Sequence, residues 1–373
     1  MDRVYRFALL ALALVACNKA APSNGGGQNP PSSGGATAAE ADLSTATKSY
    51  DASASTVRDA MNADIAGYLT ALNAPFTLKL ADFLGLPDFF SQVGGLIGAQ
   101  GVAAQANSTL PRGKWDCTSG TCVSTASDDY NVVWKTSSGK TAEIYLDWDG
   151  SSVPPASPTV TGHPAADPSS GVEAPTKLIG YLKLDGAKIM DLSRVVSYPK
   201  SKCVSNSYVI DVPDSQRLVL SLKRADGSNI LNVKSFETTI GDNSITTKGD
   251  IAASTSTEAI TAAWDLTTTG TVLRAKCGQY GGIPATTLSG TLNTGTGKHT
   301  LNFMVGANKF SQNPSYIVFT DSTLTVDGKT VKFSGSTQDT NKDGYIGDDL
   351  TIALAGGQTL KLADYLKTYH SKK

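Results

Sequence analysis

The chain has 373 residues, 17% of them charged, and a formal net charge of −1 at pH 7. This near-neutral balance offers no electrostatic attraction to a polyanion, so nucleic acid is excluded as an expected partner. The length suits one large or two modest domains with a substantial core, and the low charged fraction with abundant Ser, Thr and Gly favours a β-rich protein outside the cytoplasm.

An apolar stretch opens the chain behind Arg3 and Arg6 and ends in Leu14-Val15-Ala16-Cys17. Its apolar core of about ten residues is too short for a membrane-spanning helix, which needs about 20. The charged start, the apolar core and the small residues before the cysteine together resemble the lipobox of bacterial lipoproteins. That resemblance implies a signal peptide at residues 1–16 and a Cys17 that carries acyl chains such as palmitate, so that the membrane is a partner.

The resemblance also implies where the anchor is held. Two or three acyl chains on Cys17 make such an anchor lasting, because a single chain binds a membrane only marginally. Asn18 rather than Asp follows the cysteine, which in envelopes with two membranes implies the outer membrane. The alternative is a plain secretory leader with a chance cysteine.

Residues 17–40 are expected to be the lipidated cysteine and a flexible tether. The segment is rich in Gly, Ser, Pro and Ala and has no apolar periodicity, so it cannot bury enough surface to offset its ordering entropy. The folded part is then held near the bilayer without being embedded in it.

A helical segment is predicted over residues 41–112. Within residues 55–73, where Thr56 opens a weak capping box, apolar residues recur at steps of three and four and predict an amphipathic helix. These residues are Val57, Met61, Ile65, Tyr68 or Leu69, and Leu72. Residues 82–102 predict short helices, broken at Pro87, that pack on the following sheet; a lipid-contacting patch is the alternative interpretation.

From residue 113 onward the apolar period changes to two, which predicts an antiparallel β domain over residues 113–373 with a short C-terminal helix. Runs of alternating residues face each other across turns, and Asp327-Gly328 is a strong signal for a two-residue hairpin turn. The predicted pairs are Leu218, Leu220 and Leu222 with Leu231 and Val233; Leu288 and Leu292 with Leu301, Phe303 and Val305; Leu324 and Val326 with Val331 and Phe333; and Ile352 and Leu354 with Leu360 and Leu362. The expected fold class is mainly β: a large curved antiparallel meander sheet or open barrel, with the N-terminal helices packed on it.

Eight residues recur almost unchanged at the two ends of the folded part. Residues 77–84, TLKLADFL, return at residues 359–366 as TLKLADYL. Each copy predicts a short strand followed by a helix capped by Asp82 or Asp364. The repeat indicates one structural element used twice, through duplication or by chance.

Four cysteines remain after Cys17, and an even number in an oxidising compartment indicates two disulfides. Cys117 and Cys122 flank a Thr-Ser-Gly-Thr turn, where a cross-strand bridge is sterically easy, and this leaves Cys203 with Cys277. Four cysteines allow three pairings. A zinc site is the rival interpretation of the Cys117 and Cys122 spacing, but such sites need further Cys or His ligands nearby.

Residues 339–349 read Asp-Thr-Asn-Lys-Asp-Gly-Tyr-Ile-Gly-Asp-Asp and resemble the Asp-x-Asn-x-Asp-Gly calcium loops of the EF-hand and dockerin families. In such loops, oxygen ligands converge on a hard cation around a turn that needs glycine, here Gly344. The resemblance implies a structural calcium ion, and the ligands it implies are Asp339, Asn341, Asp343, the Tyr345 carbonyl, and Asp348 or Asp349. Leu350 stands where those families place the closing carboxylate, and an ordinary solvated turn is the alternative.

Catalytic signatures are weak. The three histidines, His163, His299 and His370, have no Cys, His or Glu at metal-ligand spacing, and the sequence contains no G-x-S-x-G elbow and no phosphate-binding loop. Ser197 and Lys200 have the S-x-x-K spacing of penicillin-binding enzymes, but no K-T-G follows.

Two function classes remain. The first is a non-enzymatic cell-envelope lipoprotein that binds or scaffolds envelope proteins and is stabilised by calcium and disulfides. The second is a carrier whose open barrel holds a lipid or other apolar ligand, which requires an apolar cavity of roughly several hundred Å³. An enzyme acting on envelope polymers is a weaker third class, because the sequence spacing shows no cluster of carboxylates.

Overall fold

The computed structural model describes residues 38–72, 113–127, 130–148, 165–167, 172–174, 177–197, 215–224, 226–241, 244–270, 285–312, 315–338, 340–342, 347–354 and 357–369. Two helices and 18 strands form within these ranges. The helices are α1 (Ala38–Leu72) and α2 (Leu362–Tyr369). The strands are β1 (Gly113–Cys117), β2 (Val123–Thr125), β3 (Tyr130–Lys135), β4 (Thr141–Trp148), β5 (Ala165–Asp167), β6 (Val172–Ala174), β7 (Lys177–Leu184), β8 (Ala187–Ser197), β9 (Ser215–Lys223), β10 (Asn229–Ile240), β11 (Ser244–Ser254), β12 (Ala259–Gly270), β13 (Ala285–Thr296), β14 (Thr300–Gln312), β15 (Ser315–Val326), β16 (Lys329–Ser336), β17 (Asp349–Ala353) and β18 (Thr359–Lys361).

Sixteen of the described strands follow one hydrogen-bonded order, β18-β17-β16-β15-β14-β13-β12-β11-β10-β9-β8-β7-β4-β3-β1-β2, while β5 and β6 form a separate two-stranded sheet. The described pairings are antiparallel except that of β1 with β3, which is parallel. Strands joined by short turns lie side by side, as in a meander. The prediction of a mainly β, antiparallel fold is therefore confirmed.

The described part of the chain divides into two compact units. One comprises α1 up to Thr56, β12 from Ile260, β13–β18 and α2; the other comprises α1 from Val57 and β1–β11. The rest of the predicted helical segment, residues 73–112, lies outside the described residues, and so do residues 82–102 within it.

The four predicted hairpins are present. Each pairs apolar residues of two consecutive strands on the buried face of its unit: Leu222 opposite Leu231, Leu292 opposite Phe303, Leu324 opposite Val331, and Ile352 opposite Leu360. The turn at Asp327-Gly328 has positive φ values of 47° and 77°. Two positive φ values in a two-residue turn match the twist of the strands it joins, which is why Asp-Gly predicts such a turn.

Three buried phenylalanines contact one another in the core of the β12–β18 unit. The ring centroids of Phe303 and Phe319 are 6.3 Å apart, and those of Phe303 and Phe333 are 6.4 Å apart, both edge-on. Edge-on contacts between aromatic rings are favourable beyond the area that they bury. The buried residues of β14, β15 and β16 thus form one continuous core.

Helix α1 begins at Ala38, well before residue 55, so the predicted start at a Thr56 cap is wrong. Thr56 lies in the middle of the helix, and its hydroxyl donates to the carbonyl of Ala52 (2.9 Å). The apolar pattern does not extend into the first half of the helix, because the buried face there contains polar residues such as Thr47, which is 5% exposed. The Thr47 hydroxyl donates to the carbonyl of Leu43 (3.0 Å), so it can be buried without an unmade hydrogen bond.

The first part of α1 is fixed to the β12–β18 unit by one buried stripe and one ion pair. Leu43 and Tyr50 are buried at a spacing of seven residues, which keeps them on one helix face. The Tyr50 hydroxyl forms a hydrogen bond with the Thr294 hydroxyl of β13. Nζ of Lys329 lies 3.1 Å from a carboxylate oxygen of Asp42.

The second part of α1 is fixed to the β1–β11 unit by two polar contacts. Nε1 of Trp134, a fully buried residue of β3, donates to the carbonyl of Leu72 at the end of the helix (2.7 Å). The guanidinium of Arg224 donates to the Asp64 carboxylate and to the carbonyl of Ser254. A carbonyl at a helix C-terminus has no partner within the helix, so Trp134 both caps and docks α1.

The C-terminal copy of the repeated segment forms a strand and then a helix, as predicted. β18 covers Thr359–Lys361, and α2 begins at Leu362, so Asp364 lies in the first turn of the helix rather than at its cap. A carboxylate in this turn stabilises the helix through its dipole. The other copy, residues 77–84, lies outside the described residues.

Candidate functional site

The predicted cross-strand disulfide joins Cys117 at the end of β1 to Cys122, with Cα atoms 4.0 Å apart. Directly before Cys117, Asp116 accepts hydrogen bonds from the Thr118 hydroxyl (2.6 Å) and the Thr118 amide (2.9 Å). These bonds lower the pKa of Asp116 below its ordinary value, the hydroxyl contributing most. The disulfide and the Asp116 contacts together hold the hairpin that ends at β2.

The predicted calcium loop follows β16. Of its predicted ligands, the structure describes Asn341, Asp348 and Asp349. The other predicted site residues, Cys17, Cys203, Cys277, Asp339, Asp343 and Tyr345, lie outside the described residues.

Asp348 organises the described part of this loop. Its Oδ2 accepts hydrogen bonds from the Thr340 amide (2.8 Å), the Thr340 hydroxyl (3.0 Å) and the Asn341 amide (3.0 Å), and its Oδ1 accepts one from Nδ2 of Asn341 (2.8 Å). Asp348 is 9% exposed. Hydrogen bonds to a charged carboxylate are stronger than those between neutral groups, so Asp348 ties the start of the loop to its end.

Gly347 sets the position of Asp348. It has a φ of 87°, and a Cβ added there would lie 3.1 Å from Cβ of Leu362. The Gly347 carbonyl accepts hydrogen bonds from the amides of Leu350 (3.1 Å) and Ala363 (3.4 Å). The end of the loop is therefore joined both to β17 and to the first turn of α2.

The described residues fit a calcium ion in part. Asn341 and Asp348 carry the oxygen ligands that calcium prefers, and the structure brings them into contact. Asp349 is exposed and lies opposite Ser336, where β17 pairs with β16. Among the described residues, no three His, Cys, Asp or Glu side chains come together as a metal-binding group. A complete calcium site requires ligands from the remaining loop positions.

A second cluster lies on the outer face of the β1–β11 unit, the face opposite to α1, and sequence reasoning missed it. Tyr145 of β4 and Tyr181 of β7 are paired across the strands, and their rings stack with centroids 5.0 Å apart and planes at 17°. Nζ of Lys183 lies 4.2 Å from the Tyr181 ring centroid. A cation over an aromatic face is attracted by the negative charge of that face.

Glu143 connects this cluster. Oε1 accepts hydrogen bonds from Asn131 (3.0 Å) and the Tyr181 hydroxyl (3.0 Å), and Oε2 lies 3.3 Å from Nζ of Lys183. Partial burial favours the neutral acid, but these three partners outweigh it, so the pKa of Glu143 is lowered. Partial burial, and then the bond to Glu143, raise the pKa of Tyr181. The arrangement orders a group of aromatic and charged side chains on the outer face of this unit.

The sequence contained only half of the signal for this cluster. Glu143 and Tyr145 stand at alternate positions of one strand, so period two places them on one face. Nothing in the alternation shows that β4 pairs with β7, because β5 and β6 lie between them in sequence.

No helix in the described part of the chain is long and apolar enough to cross a membrane. Comparison with protein-family models, with curated proteins and with solved structures finds no match for this chain.

Proposed function

We propose that the protein is a cell-envelope lipoprotein, anchored through acylated Cys17 at the outer membrane, with a non-enzymatic binding or scaffolding role. The position of α1 is the observation that favours a scaffold over a carrier. Leu43 and Tyr50 of this helix are buried in one unit and Val57 and Leu72 in the other, and polar contacts join the helix to strands of each unit. A helix docked in this way supports the scaffold over the carrier, because it takes up apolar sheet surface that a carrier would keep for its ligand.

The carboxylates with altered pKa values support the same role. Asp116 and Asp226 cap turns, and the bonds from their neighbours Thr118 and Ser228 lower their pKa values. Glu143 joins neighbouring strands through its hydrogen bonds. Each of these groups has a local structural task, which is the pattern of a scaffold stabilised at its turns and sheet face.

Calcium is proposed as a structural ion of the loop after β16. Asn341 and Asp348 would hold it together with Asp339, Asp343 and the Tyr345 carbonyl, and the ion would clamp the loop electrostatically. The loop joins β16 to β17 and α2 through Gly347. Calcium binding is therefore expected to stabilise this end of the β12–β18 unit.

The anchor is tested by metabolic labelling with an alkyne analogue of palmitate, followed by fractionation of the envelope. The wild-type chain is expected to be labelled and to sediment with outer membranes. The Cys17→Ser variant should be unlabelled and absent from that fraction, while the control Cys117→Ser with Cys122→Ser should be labelled like the wild type. An unlabelled wild-type chain would contradict the proposal.

A further inference from the structure

The outer face of the β1–β11 unit carries an apolar patch made of Tyr145, Ile179, Tyr181 and Val195. Ile179 and Val195 are 36% and 48% exposed. They are two of four exposed large apolar side chains in the described part of the chain, the others being Val123 and Met304. Two such side chains side by side, next to a stacked tyrosine pair, are more than scattered surface residues.

The strand register makes this patch continuous. Tyr145 lies opposite Tyr181 across β4 and β7. Ile179 is two positions from Tyr181 on β7, hence on the same face. Ile179 lies opposite Ser193, which makes Val195, two positions further along β8, its diagonal neighbour, at a distance that such side chains can bridge. The half-buried Val219 of β9 extends the patch, because it lies opposite Ser193 on the other side.

Charged side chains of both signs, joined in ion pairs, border the patch. Lys183 pairs with Glu143 (3.3 Å), Lys188 with Asp191 (3.2 Å) and Arg217 with Glu237 (2.9 Å). An apolar and tyrosine-rich centre with a polar rim is the anatomy of a protein interface. Lys177 lies opposite Val195 and Asp147 opposite Ile179. With these two, four cations and four anions leave the rim without net charge, so it does not attract a strongly charged partner.

We propose that this outer patch is the interface of a homodimer, in which a second copy of the chain packs its own patch face to face. A neutral rim with both signs is complementary to itself under two-fold symmetry, since each cation can lie opposite an anion of the other copy. Four strands at about 4.8 Å spacing and about 27 Å long offer roughly 500 Å² of projected face. The faces of the two copies together bury roughly 1,000 Å², which is the lower end for specific interfaces. The dimer is therefore reversible. The inference is independent of the anchor and of calcium.

The test is sedimentation velocity of the full acylated protein in a density-matched detergent over a range of concentrations. The wild-type chain should convert from monomer to dimer as concentration rises. Ile179→Lys with Val195→Lys should weaken the dimer at least about tenfold, because it places like charges at the centre of the interface. The matched control is Met304→Lys, an equally exposed apolar residue of the other unit, which should dimerise like the wild type.

A second measurement protects the test against a misfolded variant. In intact cells, Val195→Cys should form a disulfide-linked dimer on a non-reducing gel, and Met304→Cys should not. A wild-type chain that stays monomeric at all concentrations overturns the proposal. A monomer whose patch binds another protein or a glycan instead overturns it equally. Dimers of equal strength in the wild type and the double lysine variant also overturn it.

Discussion

Tyr50 of α1 and Thr294 of β13 join their hydroxyl groups in a buried hydrogen bond although 244 positions separate them in the chain. Tyr50 is fully buried and Thr294 is 6% exposed. Removing one partner of a buried hydrogen bond costs more free energy than removing both, because the remaining polar group stays buried without a partner. The pair therefore fixes the register of the helix on this unit as well as contributing to its stability.

The first prediction concerns this pair. Tyr50→Phe should lower the free energy of unfolding by about 1–3 kcal/mol, because it leaves a buried hydroxyl at Thr294 with its partner removed. Tyr50→Phe with Thr294→Val should cost less than the sum of the two single changes. Unfolding in urea measures both. Thr330→Val, at the exposed Thr325 and Thr330 contact (2.8 Å), is the control and should change stability by less than about 0.5 kcal/mol. Equal effects at positions 50 and 330 would contradict the account of helix docking.

The second prediction compares two arginines that both contact a carboxylate. The Arg224 side chain is 17% exposed and reaches Asp64 and the Ser254 carbonyl, whereas the Arg217 side chain is 57% exposed and reaches Glu237. Arg224→Gln should lower the free energy of unfolding by about 2 kcal/mol, because the Asp64 carboxylate and the Ser254 carbonyl lose their hydrogen-bond donor at a half-buried site. Arg217→Gln should cost less than about 1 kcal/mol, as exposed ion pairs do. Thermal or urea unfolding of the two variants decides, and a larger loss for Arg217→Gln would refute this assignment.

The third prediction concerns a close approach of two strands. Gly335 has a φ of 109°, and a Cβ there would lie 2.0 Å from the Asp349 carbonyl oxygen. Gly335→Ala must move the backbone of β17, so a loss of about 3 kcal/mol or more is expected. Gly357→Ala is matched, because Gly357 also has a positive φ, 87°, but open space around its Cβ position; its cost should be about 1 kcal/mol. Similar losses for both variants would show that the approach at Gly335 is not tight.

The fourth prediction is a dependence of stability on pH that arises from Glu143. Its pKa is lower in the folded protein than its ordinary value, so the unfolded chain binds more protons in the acid range and stability falls as pH falls through that range. The contribution is fully present above the ordinary pKa of glutamate. Glu143→Gln should therefore lose more stability near neutral pH than at about pH 3. Glu237→Gln is the control on the exposed side of the same unit. A loss for Glu143→Gln that is the same at both pH values would contradict the prediction.

Much of the β architecture was predictable because hairpins are local. Leu218, Leu220 and Leu222 alternate with polar or half-buried residues, and their partners on β10 follow soon after them in the sequence. The short turn between the two strands leaves few possible registers. The pairing of β4 with β7 was not predictable, since it depends on a distant contact between strands that are not consecutive. Tyr145 and Tyr181 are neighbours only as a result of that pairing.

The helix and the loop show the limits of residue patterns in a different way. Val57 and Leu72 are buried as predicted, but the helix continues to Ala38 through a face with few large apolar residues, on which Ser44 and Thr47 are buried. In the loop, the pattern identified Asp348 as a carboxylate of interest. It did not indicate that Thr340 and Asn341 would donate four hydrogen bonds to it, because such contacts depend on the path of the backbone.

The fifth prediction concerns removal of calcium. Chelation should lower the melting temperature of the wild-type protein, because an ion that binds the folded state stabilises it by mass action. Asp348→Asn should abolish this shift and also lower the melting temperature without calcium, since the amide cannot accept all the hydrogen bonds of the loop. Asp226→Asn, which changes a turn carboxylate in the other unit, should keep the shift. A calcium-dependent shift that survives in Asp348→Asn would remove Asp348 from the site.

The most direct test of the whole account is native mass spectrometry of the mature protein, extracted gently from membranes and measured before and after chelation. We predict an acylated chain that loses the mass of one calcium ion on chelation and carries no apolar ligand apart from its anchor. A co-purifying lipid in a fixed ratio, or a chain without metal before chelation, would contradict the account of a calcium-stabilised scaffold.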